Sequence, residues 1–200
     1  PEEQALKDLY RCRQSLIEDQ IRLSNRMEAL DNTKASFKIW KTLLEELKKT
    51  IKDLEVQLNA LLKSHTNLSN QVALLKTIPG ISDKTAVAIL SELPPPNTLK
   101  TAREAAAFAG LTPTVRQSGT SVRERGSLSK TGNAQLRKAL YMPALVAKKS
   151  NPLVREFCNR LAEKAKTKMV VIGAAMRKLL HLIFGVLKHQ TPFGLTQQNP

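Results

Sequence analysis

The sequence predicts a mainly α-helical protein: a long coiled-coil helical hairpin followed by an α-rich domain. Apolar residues recur every third or fourth position through the first 75 residues, and most later apolar stretches also have helical periodicity. A turn resembling a helix-hairpin-helix unit follows the coiled coil, and one central loop is irregular or contains short β-strands. With 200 residues, 42% of them hydrophobic, the chain can bury a core without disulfides or metals.

The coiled-coil prediction covers residues 1–75. Its register breaks at Asp31-Asn32-Thr33, which offers turn and N-cap chemistry, and then resumes. The heptad positions are Leu6, Leu9, Leu16, Leu23, Met27 and Leu30, then Phe37, Trp40, Leu44, Leu47, Ile51, Leu54, Leu58, Leu61, His65, Leu68, Val72 and Leu75. The short break indicates either an antiparallel hairpin or a partner-exchanged dimer. We expect residues 37–75 to mediate assembly into a homodimer or higher homo-oligomer.

The second predicted domain covers residues 76–193 and is followed by a tail at 194–200. It begins with a hairpin at 76–93, in which Ile78-Pro79-Gly80-Ile81 leads into a helix of small residues. In helix-hairpin-helix units the turn amides and the next helix N-terminus can hold a backbone phosphate, which makes Gly80 and Lys84 candidate contacts. Ser82 stands where such units have a second glycine, so a plain interhelical turn without a ligand is the alternative.

Further helices are predicted at residues 102–109, from about Asn133 to residue 149, and at about 152–165 and 168–188. Arg177 and Lys178 interrupt the most apolar stretch, so we interpret it as a buried helix and not a membrane span. Cys12 and Cys158 lie far apart without metal-binding spacing, which predicts neither a zinc site nor a disulfide. No metal site or cofactor is predicted within this chain.

The charge distribution indicates a phosphate-bearing partner. The net charge is +15, and residues 81–200 hold 19 basic and 6 acidic residues, so most of the excess lies in the second domain. Aromatic residues make up only 4% of the chain, which argues against a protein that binds single strands by base stacking. Nucleic acid is therefore the expected partner.

The loop at residues 111–137 combines hydroxyl groups with cations. It contains Arg116, Ser118, Ser121, Arg123, Arg125, Ser127, Ser129, Lys130, Asn133 and Arg137, with Glu124 as its single acid. Guanidinium groups match phosphate oxygens and stabilise the charge on a pentavalent phosphorus, while a serine can attack it. The alternative from composition is a solvated basic loop that only grips a nucleic-acid backbone.

An ordered set of short motifs then identifies a family. The motifs are Phe108-Ala109-Gly110-Leu111-Thr112-Pro113, Ser118-Gly119, Ser121-Val122-Arg123, Ser129-Lys130-Thr131-Gly132-Asn133 and Ala139-Leu140-Tyr141-Met142-Pro143-Ala144. They resemble the C-terminal transposase domain of the insertion-sequence family related to the Piv and MooV DNA invertases, the DEDD transposases guided by a bridge RNA. The resemblance extends from Leu74 to Phe193, and the coiled coil is similar to the linker between that family's two catalytic domains.

The resemblance implies a DNA recombinase that forms a covalent phosphoserine bond, with Ser118 as the nucleophile by motif position. Ser121, Ser127 and Ser129 are the alternative nucleophiles. The proposed phosphate or nucleic-acid contacts are Arg116, Arg123, Arg125, Lys130, Asn133, Arg137, Gly80 and Lys84. The family resemblance further implies DNA and a guide RNA as partners, no membrane, and a cytoplasmic, nucleoid-associated location in a bacterium or archaeon.

Family members also need an N-terminal RuvC-like domain whose acidic cluster binds Mg²⁺. No stretch of this chain shows the alternating pattern of such a domain, and the chain opens at Pro1 without a methionine. We therefore expect this chain to be the C-terminal part of the enzyme, inactive by itself because it lacks the metal site. The alternative function is a non-catalytic nucleic-acid-binding and dimerisation module, which would need its cations but no particular hydroxyl.

Overall fold

A computed structural model describes residues 2–29, 35–114, 117–118, 122–123 and 127–194. The chain divides into two compact units, Pro1–Ser69 and Asn70–Pro200. Eight helices and four short strands lie in the described ranges, and the predicted fold class, mainly helical with little strand, is confirmed.

The first unit is built on an antiparallel pair of helices, α1 (Glu2–Glu28) and α2 (Ala35–Ser64). Arg13 Nε donates to Glu55 Oε1 at 3.1 Å, and the Arg26 guanidinium lies 5.2 Å from the centroid of the Trp40 ring. The first contact joins the early part of α1 to the late part of α2, and the second joins their other ends. The helices therefore form a hairpin within one chain.

The heptad prediction correctly identifies the buried side of this hairpin. In the described part of the first unit, all the buried hydrophobic residues occupy predicted heptad positions: Leu6, Leu23, Ile51, Leu54, Leu58 and Leu68. At His65 the helix is interrupted, although the apolar register continues through it. At this end of α2 the Ser64 hydroxyl donates to the Leu61 carbonyl at 3.0 Å. Helix α3 (Thr66–Lys76) then runs from the first unit into the second.

The second unit has α8 (Lys168–His189) at its centre. This helix packs against α5 (Ala102–Phe108), α6 (Ala134–Ser150) and α7 (Pro152–Glu163), while α6 also contacts α4 (Asp83–Glu92). Leu179, Leu180 and Ile183 of α8 are fully buried. By length and composition α8 is the one described helix that could cross a membrane, but 56% of its most apolar window is buried within the protein, as in the core helix of a globular domain.

Side-chain caps fix where most of these helices begin. A polar residue immediately before the first turn accepts a hydrogen bond from a free backbone amide of that turn. The capping residues are Ser82 for α4, Thr101 for α5, Asn133 for α6 and Asn151 for α7. Asn151 also ends α6, because its backbone amide donates to the Ala147 carbonyl, so one buried asparagine closes one helix and opens the next.

Between α5 and α6 the chain forms two antiparallel ladders. Strand β1 (Pro113–Thr114) pairs with β4 (Ser127–Leu128), and β2 (Gln117–Ser118) pairs with β3 (Val122–Arg123). Because β2 and β3 lie between β1 and β4 in the sequence, the ladders are nested as in one hairpin. The predicted short strands in this loop are confirmed.

Candidate nucleic-acid interface

The nested ladders extend into a longer two-stranded arm. Beyond β1 and β4, Ser129 N donates to Thr112 O at 2.9 Å and Asn133 N donates to Phe108 O at 2.7 Å. Backbone bonds therefore connect the two sides of the arm from its root, at Phe108 and Asn133, to the inner ladder. The helical domain holds the root, and Ser118 belongs to the opposite, distal end.

At the distal end, Ser118 lies opposite Val122, and Arg123 lies opposite Gln117. Ser118 thus belongs to the innermost described backbone pair. Two other predicted contacts, Arg116 and Arg125, lie outside the described residues, as do the alternative nucleophile Ser121 and the acid Glu124. The other two alternative nucleophiles lie nearer the root of the arm. Ser127 is in β4 opposite Thr114, and Ser129 pairs with Thr112.

Arg137 fastens the root from the first turns of α6. Its NH1 group donates to the Ala109 carbonyl at 3.0 Å. Gly110 makes room for this contact: it has a φ of +67°, and a Cβ at that position would lie 2.7 Å from Arg137 NH1 and 2.8 Å from Thr131 O. Glycine is required there both for the left-handed backbone and for the close approach.

Asn133 holds the root from a second side. Its Oδ1 accepts from Leu136 N at 2.9 Å, which caps α6, and its Nδ2 donates to Glu92 Oε2 at 2.8 Å. Glu92, at the end of α4, is 1% exposed, so the hydrogen bond joins α4 to the root inside the protein. The sequence analysis missed Glu92. Its one available signal was an acid close to the apolar residues Ile89, Leu90 and Leu93.

Lys130 lies beside the root with its side chain exposed. Its backbone amide donates to Gly110 O at 3.2 Å, and its φ of +54° places a non-glycine residue in the left-handed region. That conformation is uncommon without glycine or asparagine, and it occurs where surrounding contacts enforce it. The ammonium group is free to face solvent or a phosphate.

The predicted hairpin at residues 76–93 contains a β-turn at Ile78–Ile81. Ile81 N donates to Ile78 O at 3.1 Å, and Gly80 has a φ of +105°, as the third residue of a type II turn requires. A Cβ on Gly80 would lie 2.9 Å from Ala147 N of α6. Gly80 therefore lets the turn pack closely on α6.

The N-terminus of α4, which follows this turn, already has partners. Ser82 Oγ accepts from Thr85 N at 3.3 Å, and Lys76 Nζ lies 2.7 Å from Asp83 Oδ1. Lys84 is exposed in the first turn of the helix. Its phosphate contact, and the one predicted for Gly80, stay predictions.

The structure separates the predicted site residues into three groups. Ser118 and Arg123 lie at the distal end of the arm, whereas Lys130, Asn133 and Arg137 surround its root. Gly80 approaches α6 at Ala147, fourteen residues beyond Asn133, which corresponds to about 21 Å along a helix. The turn and the root are therefore different places on the domain.

The electrostatics of the second unit favour an anionic partner. Helices α6 and α8 contain no acidic residue, and α5 contains Glu104 alone. The part of the chain that the structure describes has no group of three or more His, Cys, Asp or Glu side chains able to hold a metal ion. The family resemblance places its Mg²⁺-binding acidic cluster in a separate domain, and the described side chains contain no such cluster.

Residues 72–159 match the family described as "Transposase IS116/IS110/IS902 family". The chain contains a transposase domain of this family. The matched segment includes α4 to α6, the whole arm and most of α7, so it contains all three groups of predicted site residues. The motif resemblance is thereby confirmed at the level of the transposase family.

The transposase domain also has relatives of known name. The chain is 35% identical over 145 residues to the pilin gene-inverting proteins of Moraxella bovis and Moraxella lacunata. It is 31% identical over 138 residues to an uncharacterized 43.6 kDa protein of insertion element IS110 from Streptomyces coelicolor. These alignments cover 72% and 69% of this chain, but 45% and 33% of the relatives. The chain therefore spans less than half the length of these relatives.

Proposed function

We propose that this transposase domain cuts and rejoins DNA. The family match, the descriptions of the relatives as gene-inverting and insertion-element proteins, and the net positive charge of residues 81–200 support this function. The observation that carries the proposal is the arm. A two-stranded arm whose root is bonded to the helical domain can hold a serine and arginines of its distal end against a duplex.

In this proposal Ser118 is the nucleophile. Its Oγ loses its proton and attacks a backbone phosphorus, so an Oγ–P bond forms while a P–O bond to deoxyribose breaks and the released oxygen takes up one proton in exchange. A hydroxyl of another strand later attacks the phosphoserine, which restores Ser118 and the phosphodiester. Arginine side chains such as Arg123 stabilise the charge on the pentavalent phosphorus.

The contacts at the root support a positioning role for Asn133 and Arg137. The Asn133 carboxamide is engaged with Leu136 N and Glu92, and one Arg137 nitrogen with Ala109 O. These bonds hold the arm on the domain, and holding reactive groups in one geometry lowers the barrier to in-line attack. Lys130, whose side chain is exposed, is the root residue we assign to a backbone phosphate.

Three further components belong to the same proposal. A guide RNA would select the DNA sequence, a separate domain would supply Mg²⁺, and residues 37–75 would pair two copies of the chain. Residues 1–200 by themselves would then bind DNA without completing the reaction. No reaction step assigned to this chain depends on the metal.

A covalent-trapping assay tests the nucleophile. The complete recombinase, its guide and nicked target DNA are mixed, and protein-DNA adducts are resolved on a denaturing gel. We expect Ser118→Ala to abolish the adduct while folding and DNA binding persist, because a distal hydroxyl contributes little to the core. Ser121→Ala, Ser127→Ala and Ser129→Ala are the matched controls and should retain it.

Two outcomes would contradict the assignment. Adduct from Ser118→Ala with loss in one control variant would move the nucleophile to that serine. Adduct from all four variants would place the nucleophile outside the serines of the arm, whereas no adduct from the unmodified recombinase would support the non-catalytic binding and dimerisation module.

A further inference from the structure

A strip of five basic residues lies along the seam where α5 packs against α8: Lys100, Arg103, Arg177, Lys178 and Lys188. On α8, Gly173, Arg177, His181, Phe184 and Lys188 follow one another at every third or fourth position, so they share one face of the helix. Phe184 is buried with 3% exposure, His181 and Arg177 are half-buried, and Lys188 is exposed. This face therefore has an apolar floor and polar groups at its edge.

Contacts at both ends define the extent of the strip. At one end a Cβ added to Gly173 would lie 3.0 Å from Leu128 Cδ1, so the arm's last strand rests on this face. At the other end Lys188 Nζ donates to the Lys100 carbonyl at 3.0 Å, next to the start of α5. The strip thus begins at the base of the arm and ends beside Lys100.

The middle of the strip gathers cations from both helices. Burial lowers the pKa of His181, and the charges of Arg177 and Lys178 on α8 and of Arg103 on α5 lower it further. Arg103 is therefore within electrostatic reach of α8. Its side chain is exposed, and that of Lys178 is half-buried.

Glu104, the acidic residue of α5, forms hydrogen bonds at the N-terminus of its own helix. Glu104 Oε2 accepts from Lys100 N at 2.9 Å, and its Oε1 accepts from Thr101 Oγ1 at 3.3 Å. Since α8 has no acidic residue, the like charges of the strip repel one another. An anionic partner lying along the seam would remove that repulsion.

We propose that the strip formed by Lys100, Arg103, Arg177, Lys178 and Lys188 is a second DNA-backbone surface that continues from the arm. The inference rests on the proposed function, because DNA held by the arm would extend past its base onto the strip. From Arg177 to Lys188 the helix rises about 17 Å. That length matches about five base pairs of a duplex at about 3.4 Å each.

The chemistry of the strip favours a duplex backbone over other anionic partners. Its one Phe, Tyr or Trp side chain, Phe184, is buried beneath Lys188 and offers no stacking platform for the bases of a single strand. A membrane surface would need exposed apolar side chains among the cations. Between Gly173 and Lys188 the apolar side chain on this face, Phe184, belongs to the core, and the exposed Val170 lies before Gly173, outside the strip. Phosphate contacts would therefore carry binding along the strip.

A charge-matched pair of double variants tests the surface. Fluorescence anisotropy of a labelled duplex of about 20 base pairs is measured with the full chain over about 0.05–0.2 M salt. We expect Arg103→Gln/Lys178→Gln to weaken binding about tenfold and to reduce the log–log salt slope by about 2, since each phosphate contact contributes about 0.9. The control, Lys149→Gln/Arg155→Gln, removes one Lys and one Arg from exposed positions of the same unit and should change affinity less than about threefold.

If the two double variants weakened duplex binding equally, the strip would not be a distinct DNA-backbone surface. The proposal that the domain binds DNA would be unaffected. If the unmodified chain bound no duplex at any salt concentration, both the strip and the DNA-binding part of the proposed function would fail. The trapping assay on Ser118 is independent of both results.

A second test uses the unmodified chain, so its result does not depend on whether the variants fold. Lysine acetylation followed by mass spectrometry should show Lys178 and Lys188 protected by the duplex and Lys149 unprotected. Protection by anionic lipid vesicles but not by the duplex would assign the strip to a membrane and overturn the proposal.

Discussion

In the helical hairpin of residues 1–69 burial follows a repeat, whereas in the basic domain of residues 70–200 it depends on contacts that occur once. Leu54 and Leu58 are buried because they continue a spacing that begins at Phe37. Gly110 and Asn133 are needed because one guanidinium and one carboxylate approach at those positions. A repeat therefore tolerates weak members such as Arg13, which occupies the heptad position between Leu9 and Leu16. In the transposase domain, by contrast, Gly110 and Asn133 each make a contact that no other residue repeats.

The largest expected effect comes from a charge placed in the repeat. Leu58 is 6% exposed, so Leu58→Lys should destabilise the hairpin by about 3–5 kcal/mol through an unpaired buried ammonium. Trp40, the sole tryptophan, lies against Arg26 of the opposite helix, so its emission reports hairpin unfolding. Light scattering on the same samples should show the wild-type chain self-associated and the variant dissociated.

Val56→Lys is the matched control, because Val56 is 67% exposed in the same helix. It should change stability by less than about 0.5 kcal/mol. If the wild-type chain were monomeric at tens of micromolar, the proposed self-association would be wrong. The comparison of stability between Leu58→Lys and Val56→Lys would not be affected.

A smaller loss is expected from a glycine in the transposase domain. Gly132 precedes the cap of α6 with a φ of +132°, and a Cβ there would overlap the Phe108 carbonyl oxygen at the root of the arm. Gly132→Ala should therefore lower the free energy of unfolding by about 2–4 kcal/mol through backbone strain and overlap. Denaturant unfolding followed by far-UV circular dichroism measures this change.

Gly185→Ala should change the free energy of unfolding in the opposite direction, although Gly185 lies in the same domain. Gly185 lies inside α8, and no atom lies within 4 Å of a Cβ built there. Alanine should stabilise the helix by about 0.5–1 kcal/mol, since it loses less backbone entropy than glycine. Equal effects at the two glycines would mean that the root does not depend on the close approach of Gly132.

The same contrast explains how much could be predicted from the sequence. The hairpin's buried residues follow from periodicity, because each turn of helix repeats the signal. Short strands and a helix beginning after Asn133 also follow from local turn and cap chemistry. The interruption at His65 does not, because the apolar register passes through it unchanged.

The arrangement of the candidate site was largely beyond sequence reasoning. The Asn133–Glu92 hydrogen bond joins residues 41 apart, and the Arg137–Ala109 bond joins residues 28 apart, with no periodic pattern linking either pair. Two-residue strands are also too short to reveal their register, so the position of Ser118 at the distal end of the arm could not be deduced. Motif order indicated the transposase family. It did not indicate that the predicted site residues lie in three separate places: the distal end of the arm, its root and the turn at Ile78–Ile81.

The smallest expected effect is the pH dependence contributed by His181. Its Nε2 is buried without a hydrogen-bond partner among the described residues, and burial, Arg177, Lys178 and Arg103 together hold its pKa below the ordinary value of 6.5. The unfolded chain therefore binds this proton more readily than the folded chain. Stability is retained above about pH 6.5 and is lost as the pH falls from there toward the lower folded pKa.

Thermal unfolding between about pH 7.5 and pH 5.5 measures this contribution. His181→Gln should flatten the decline in melting temperature, because a neutral amide cannot take up the proton whose binding favours the unfolded chain. His189→Gln, an exposed position on the same helix, should keep the wild-type decline. An unchanged decline in His181→Gln would mean that the acid sensitivity arises elsewhere in the protein, and that the cations along the α5–α8 seam do not affect this imidazole.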